Sequence, residues 1–328
     1  MANTSLADII YTDAFASYYK RASTTKSALI TSGIVTMDER IAAAAAACPT
    51  GARLVNLPYW EDLAGDPEPL IDGQSLGTSK IDLNNDVTIV MRNGKGWAIS
   101  DRAIERAKSD PIRSIADQLV RYWNRETQKD LFALLKGVFA SNLANNDGDH
   151  VLDISGLSGD AAVLNKNSII MASQLLGDHK DELTAIAMHS MAESVLNQAE
   201  NSATSYRPST TPGELAQYNG KSIIMDDMCG YNPTTGVAEI YLFGRGAVAL
   251  NPVPTEHETE ADRDKAAGIN KLYSRRGNIL HVRGVKWVDG DGYSAEVPTR
   301  SDLESAAHHL RVWEPKDVRV VKLICKVA

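Results

Sequence analysis

The chain has 328 residues, 43% of them hydrophobic, which suits roughly two domains and a sizeable core. Its formal net charge is −8, which excludes a protein that grips nucleic acid through an overall basic surface. Its cysteines, Cys48, Cys229 and Cys325, are far apart and supply neither a C-x-x-C metal pair nor a disulfide framework.

Residues 1–50 read as an arm. "SLADIIYTDAFASYYKRA" spaces Ile9, Ile10, Phe15 and Tyr19 as a short amphipathic helix. "DERIAAAAAAC" is a second helix that stops before Pro49 and Gly51. The N-terminus lacks the basic segment and apolar core of a secretory signal. The longest apolar run, residues 41–48, is too short to span a bilayer. A protein made and used in a cytoplasm is therefore expected. Two small-residue helices make a poor core alone, so the arm is expected to pack on the rest of the chain or on a neighbour.

Two β segments follow, "RLVNLPYW" and "KIDLNNDVTIVMRN", on either side of a loop of about nineteen residues. Hairpin connections usually run to about five residues. Leu63, Leu70, Ile71 and Leu76 also make this loop more apolar than a solvated linker. An extended segment laid on a partner explains both features.

"SDPIRSIADQLVRYWNRETQKDLFALLKGVFASNLANN" is the strongest local signal. Ser109 or Asp110 can cap a helix, and Pro111 suits its first position. Ile112, Ile115, Leu119, Trp123, Leu131, Leu134 and Val138 fall broadly on one face, and Gly137 weakens the pattern slightly. A helix over about 110–142 would be on the order of 50 Å long, at about 1.5 Å per residue. That is a spine, with Tyr122 and Trp123 packing it against its own sheet.

From about residue 161 helices and strands alternate, giving a mixed α+β chain. "AVLNKNSIIMASQLLGD" and "HSMAESVLNQAEN" read as helices. "LTAIAM" and "KSIIMDD" read as strands, and "VAEIYLFGRGAVALN" as one or two. "KLYSRRGNILHVRGVKWV" is mainly β, "SDLESAAHHL" places Ser301 and Glu304 in capping-box spacing, and "DVRVVKLICKV" is a final strand.

The chemical motifs are weak. Gly244, Gly246 and Ala249 fit the spacing of a dinucleotide fingerprint, but that motif needs a helix directly after the glycines. Pro252 and Pro254 forbid it. A strand that bends at Gly244 and Gly246 is expected instead, and a nucleotide-dependent enzyme is the weakest reading. His179 beside Asp178, Asp181 and Glu182 reads as a solvated turn, and His189 as a cap or core residue. His308 and His309 point to different faces and cannot act as a metal pair. "EHETEADRD" reads as an exposed charged face. No catalytic, cofactor-binding or metal residue is nominated. The remaining signals concern contact, and point to an obligate assembly.

The strings "LPYWEDLAGDPE", "DPIRSIADQLVRYWNRETQKDLFALLKGVF", "SIIMASQLLGDHKDELTAIAMHS", "YNGKSIIMDD", "YLFGRGAVAL" and "TEADRD", in this order, resemble the major capsid proteins of tailed bacteriophages. The resemblance spans about residues 1–315 and implies the Hong Kong 97-type fold. It implies an N-terminal arm over residues 1–50 and an extended loop over 51–95 that lies across an adjacent subunit. It further implies a peripheral domain with its spine helix over 96–160, an axial domain over 161–250 and peripheral return strands over 251–288. Residues 289–328 stay unassigned. Trp60, Leu63, Leu70 and Ile71 are the candidate docking contacts of the loop. Glu256, Glu258, Glu260, Asp262 and Arg263 are candidate charged contacts at subunit junctions. The implied function is a major capsid protein that forms hexamers and pentamers of a head shell around double-stranded DNA, assembled in a bacterial cytoplasm and resident in the virion. Its implied partners are itself, a scaffolding protein, a portal and, where one is used, a decoration protein. The runner-up is an encapsulin-like compartment shell. Some relatives join subunits through lysine and asparagine; Lys80 and Lys95 lie near the loop, but both residue types are too common to assign a cross-link.

Overall fold

The computed structural model describes residues 34–47, 52–63, 65–70, 72, 75–101, 111–199, 206–207, 215–290 and 292–327. The helix expected around Ile9 and Tyr19, Cys48 and the Ser109/Asp110 cap lie outside them.

In chain order, β1 (Val35–Thr36) leads into α1 (Glu39–Ala47). β2 (Leu54–Trp60) and β3 (Leu83–Ser100) flank the long loop, and α2 (Pro111–Asn145) is the 35-residue spine. Next come β4 (Val151–Asp153), α3 (Lys166–Ser173), β5 (Leu183–Met188) and α4 (Ser190–Ala199). Short strands β6 (Tyr206–Arg207), β7 (Gln217–Tyr218), β8 (Lys221–Met225) and β9 (Tyr231–Asn232) precede β10 (Val237–Gly244) and β11 (Val248–Val253). β12 (Thr259–Asp264), β13 (Ile269–Val282), β14 (Val285–Trp287), α5 (Arg300–Glu304), β15 (His309–Arg311) and β16 (Val320–Lys326) complete the chain.

The first sheet has the order β1-β11-β13-β3-β2, with β12 also on β13. β3 serves two partners. Its first part pairs with β2, from Leu83↔Trp60 to Ile89↔Leu54. Its second part pairs with β13, from Val90↔Ile279 to Ser100↔Ile269. α1 seals one face of this sheet through Ile41, which packs with Val55, Val90, Ala249 and Ile279. Asn251 fixes the start of α1 by exchanging hydrogen bonds with the Asp38 backbone at 2.8 and 3.2 Å.

The second sheet runs β4-β16-β10-β5-β8-β7-β6, with β9 on β10. Its middle strands are apolar almost without a break because helices cover both faces. Ile240 and Leu242 of β10 face a cluster with Ile169, Ala172, Ala192 and Leu196 from α3 and α4. Tyr241 and Phe243, on the alternate face, meet Phe132 and Phe139 of α2; the ring centroids of Phe132 and Phe139 lie 6.0 and 5.8 Å from that of Tyr241. The same cluster takes in Ile89, Met91, Val248, Leu280 and Val282 of the first sheet. α2 is thus the shared core of both sheets.

The segment "YLFGRGAVAL" is the crossover between them: β10 belongs to the second sheet and β11 to the first. Gly246 turns the chain with φ +65°. Pro252 sits in the β11 ladder opposite Asn278, where a nucleotide-binding helix would have to be.

The C-terminal segment binds back in two places. β16 inserts between β4 and β10, which assigns residues 320–326 to the second sheet. α5 lies on α2, where a Cβ on Gly137 would stand 2.0 Å from the Leu303 carbonyl oxygen. The glycine that weakens the helical pattern is therefore required by a close backbone approach. α5 is capped by Thr299 and Asp302, not by Ser301 and Glu304: the Thr299 N–H donates to Asp302 Oδ2 at 2.8 Å. The helix begins at Arg300, so Ser301 already lies inside it. Arg300 Nε reaches Asp130 of α2 at 2.7 Å. His308 stacks on Trp287 at 4.8 Å, and buried His309 sets its edge against the same ring. Burial pulls the His309 imidazole from 6.5 down to about 4.

Two outcomes follow from this packing. Gly246→Val forces a β-branched residue into the left-handed region and is expected to cost about 1–3 kcal/mol in thermal unfolding, with no effect on nucleotide binding. The unfolded chain protonates His309 below about 6.5, while the fold resists until about 4, so stability falls as pH drops through that window. The loss from this group is up to about 3 kcal/mol, and His309→Gln should flatten the fall in melting temperature measured from pH 7 to 4.

Candidate assembly interface

Among the described residues, the cysteines and the histidines singled out in the sequence are occupied or buried. Burial pushes the Cys325 thiol up to about 12 and Cys229 higher still, so neither is a thiolate at neutral pH. His179 sits at 3.6 Å from Glu182 and 3.7 Å from Asp317, while Asp178 is held by Lys316 at 2.7 Å. His189 Nδ1 accepts the Met191 N–H and caps α4. Among the described residues no group of three or more His, Cys, Asp or Glu side chains can hold a metal ion.

What the molecule presents is a projecting arm. β2 and the first part of β3 form a hairpin whose connection, residues 61–82, is exposed at every described position. Trp60 is 68% exposed, Leu63 78% and Leu70 85%, and Leu76, Ile81 and Leu83 are exposed with them. Ile71 lies outside the described residues. The same stretch carries six carboxylates against one lysine, Lys80. Leaving this much apolar surface in water costs roughly 25 cal/mol per Å² relative to burying it.

The arm is firmly rooted. The β3–β13 ladder ends at Val90, and beyond that point buried His281 Nε2 meets Asp86 Oδ2 at 2.8 Å. The Tyr59 hydroxyl donates to the Val312 carbonyl at 3.1 Å, and its ring stands edge-on to Trp313. Arg53 bonds the Ala295 carbonyl and the Asp289 carboxylate. These ties hold the base and leave the tip free of the chain's own core.

The charged candidates lie elsewhere, at the opposite end of β3, on and just before β12. Glu260 is held by Arg275, and Arg263 by Asp101 at 2.9 Å, so part of this charge is used within the subunit. Glu256 and Asp262 are exposed, and Glu258 is half-buried. Sequence reasoning missed a groove at this end of the first sheet, about 530 Å³, where Trp97 of β3 meets Arg121, Tyr122 and Arg125 of α2. Its members come from two elements, and no spacing rule joins them. Trp123 is buried beneath, donating from Nε1 to Ser274 Oγ at 3.0 Å.

A family model described as phage capsid protein matches residues 85–292. The chain is 34% identical to the major capsid protein of Bacillus phage SPP1, over 98% of each chain. In structure it is similar to the capsid asymmetric unit of Cyanophage Pam1, with TM-score 0.54 and 14% identity over 84% of this chain and 86% of that one. The capsid of Ralstonia phage GP4 gives TM-score 0.53 and 11% identity over 84% and 83%. At these identities the structural likenesses show the fold.

Because Leu63 and Leu70 touch no core, the double variant Leu63→Ser/Leu70→Ser is expected to unfold within about 0.5 kcal/mol of the parent in a monomeric preparation. Denaturant titration followed by circular dichroism measures this.

Proposed function

Since the chain belongs to the phage capsid protein family and is the major capsid protein of a tailed phage, we propose that it builds hexamers and pentamers of an icosahedral head shell around packaged double-stranded DNA. The observation that carries the reading is the rooted arm with an exposed apolar tip: it is stable without a partner at its base and lacks one at its end. Trp60, Leu63, Leu70 and Ile71 are its docking contacts on an adjacent copy. Glu256, Glu258, Glu260, Asp262 and Arg263 contribute charged contacts at junctions, with Glu256 and Asp262 the most available.

We assign residues 1–50 to the N-terminal arm, 51–95 to the extended loop, 96–160 and 251–288 to the peripheral domain, and 161–250 to the axial domain. The β16–β10 pairing supports adding residues 320–326 to the axial domain. The protein works as a structural element and not as an enzyme, in keeping with its buried thiols and occupied histidines. A scaffolding protein, a portal and, where one is used, a decoration protein complete its partners. Its net charge of −8 suits a container whose contents have to leave. Similarity along the whole chain to a phage capsid protein favours a head shell over a cellular compartment shell.

Each interface can be modest, because a closed shell repeats it many times. Electron microscopy of the purified protein tests the reading. Hollow shells or capsomer rings are expected; a monomeric or dimeric globule persisting at high concentration would overturn it.

A further inference from the structure

A cavity of about 260 Å³ opens at the root of the arm. α1 supplies Ile41 and Ala44 to its wall, β2 supplies Leu57, Pro58 and Tyr59, and Trp313 closes it from the C-terminal segment. The Tyr59 ring stands edge-on to Trp313 at 6.3 Å, and its hydroxyl already donates to the Val312 carbonyl, so this wall is aromatic and apolar. Arg40, Asn56 and Pro58 are exposed, so the mouth faces water.

The floor is polar and buried. Asp86 and His281 are each 4% exposed and meet at 2.8 Å through Asp86 Oδ2. Arg283, two residues beyond His281, lines the same cavity. Asp38 is already neutralised, with Arg40 at 3.3 Å and Arg283 at 3.1 Å from its Oδ2. Two atoms of the floor are left over. Among the described residues, Asp86 Oδ1 has no donor and Arg283 Nε has no acceptor. Buried polar atoms are nearly always paired, so two orphans of opposite kind beside one cavity call for a ligand.

Their chemistry narrows its class. The ligand has to donate a hydrogen bond to a carboxylate oxygen and accept one from a guanidinium N–H. A carboxamide does both from one planar group. An amidinium only donates, and would face Arg283 with like charge. A carboxylate only accepts, and would face Asp86 with like charge. The apolar wall suits a flat aromatic body beside the amide. Pockets for drug-sized ligands run to about 300–1,000 Å³, so this smaller one suits a single ring.

We propose that the cavity at the arm root binds a small aromatic carboxamide, whose amide bridges Asp86 and Arg283 and whose ring lies against Tyr59 and Trp313. Such a ligand touches α1, the base of the arm and the C-terminal segment at once. The site is independent of whatever the arm tip meets.

Benzamide is the probe, with benzamidine and benzoate as its cationic and anionic isosteres. Each is titrated into the full-length protein and followed by ligand-observed NMR. Benzamide is expected to bind with a dissociation constant on the order of 1 mM, as suits about nine non-hydrogen atoms, and at least tenfold more tightly than either isostere. Ala44→Phe fills the cavity from α1 and is expected to weaken benzamide at least tenfold while the melting temperature holds or rises. Arg283→Met removes the donor and is expected to erase the preference for benzamide over benzamidine. Selectivity among the three probes is read on the wild-type protein, so it decides the matter even where a variant fails to fold. Equal binding of the three, no saturable binding of benzamide, or undiminished binding by folded Ala44→Phe would overturn the proposal. Tightest binding of benzamidine would give the site to a cation and overturn it as well.

Discussion

Over residues 130–142, α2 leaves one position, Lys136, exposed to solvent, and the architecture depends on that. Leu131, Phe132, Leu134, Leu135, Val138 and Phe139 are all buried. They are divided among the first sheet, the second sheet and α5. A helix with one apolar stripe covers one layer. This one is apolar nearly all round over two turns, so it can cement two sheets that share no ladder. Gly137 lets α5 press onto it at backbone distance, and Arg300 locks that contact through Asp130. Over residues 118–125 the helix is freer, and there it presents charge and aromatic edges to the outside.

With the body fixed in this way, β3 can leave it. The strand changes partners between Ile89 and Val90 without interrupting its own extended course. The arm therefore inherits its direction from the sheet and does not swing from a flexible joint. His281 and Asp86 tie it where the ladder has run out. Burying such a polar pair is of doubtful benefit to stability alone. Its geometric effect is plain: it sets the line along which the arm departs.

Local signals made much of this legible. α2 announces itself through Pro111, its period and its length. The hairpin of the arm shows as two β segments around an overlong apolar loop. The crossover at Gly244 and Gly246 follows from Pro252 and Pro254 alone. What failed was non-local. "NGKGWAIS" has too many glycines and too little β-branching to read as strand, yet β13 draws it into an 18-residue β3. The α5 cap was displaced by two residues because Thr299/Asp302 and Ser301/Glu304 share one spacing, and only the start of the helix decides between them. Gly137 read as a flaw because its neighbour, Leu303, lies far along the chain. The groove was invisible for the same reason: Trp97 and Arg121 become neighbours only when α2 lies on the sheet.

β16 carries a consequence of another kind, in time. It occupies an inner position of the second sheet, with seven paired residues on β10 and a parallel partner in β4. During synthesis the arm, the spine and every other strand of that sheet emerge before residues 320–326 exist. Until then β10 shows a bare edge and β4 has no partner, so the sheet that backs α2 is unfinished. Nascent chains crowded on one message thus carry sticky arms but no finished body to receive them. Competence to join a shell arrives late, and it arrives for the whole subunit at once.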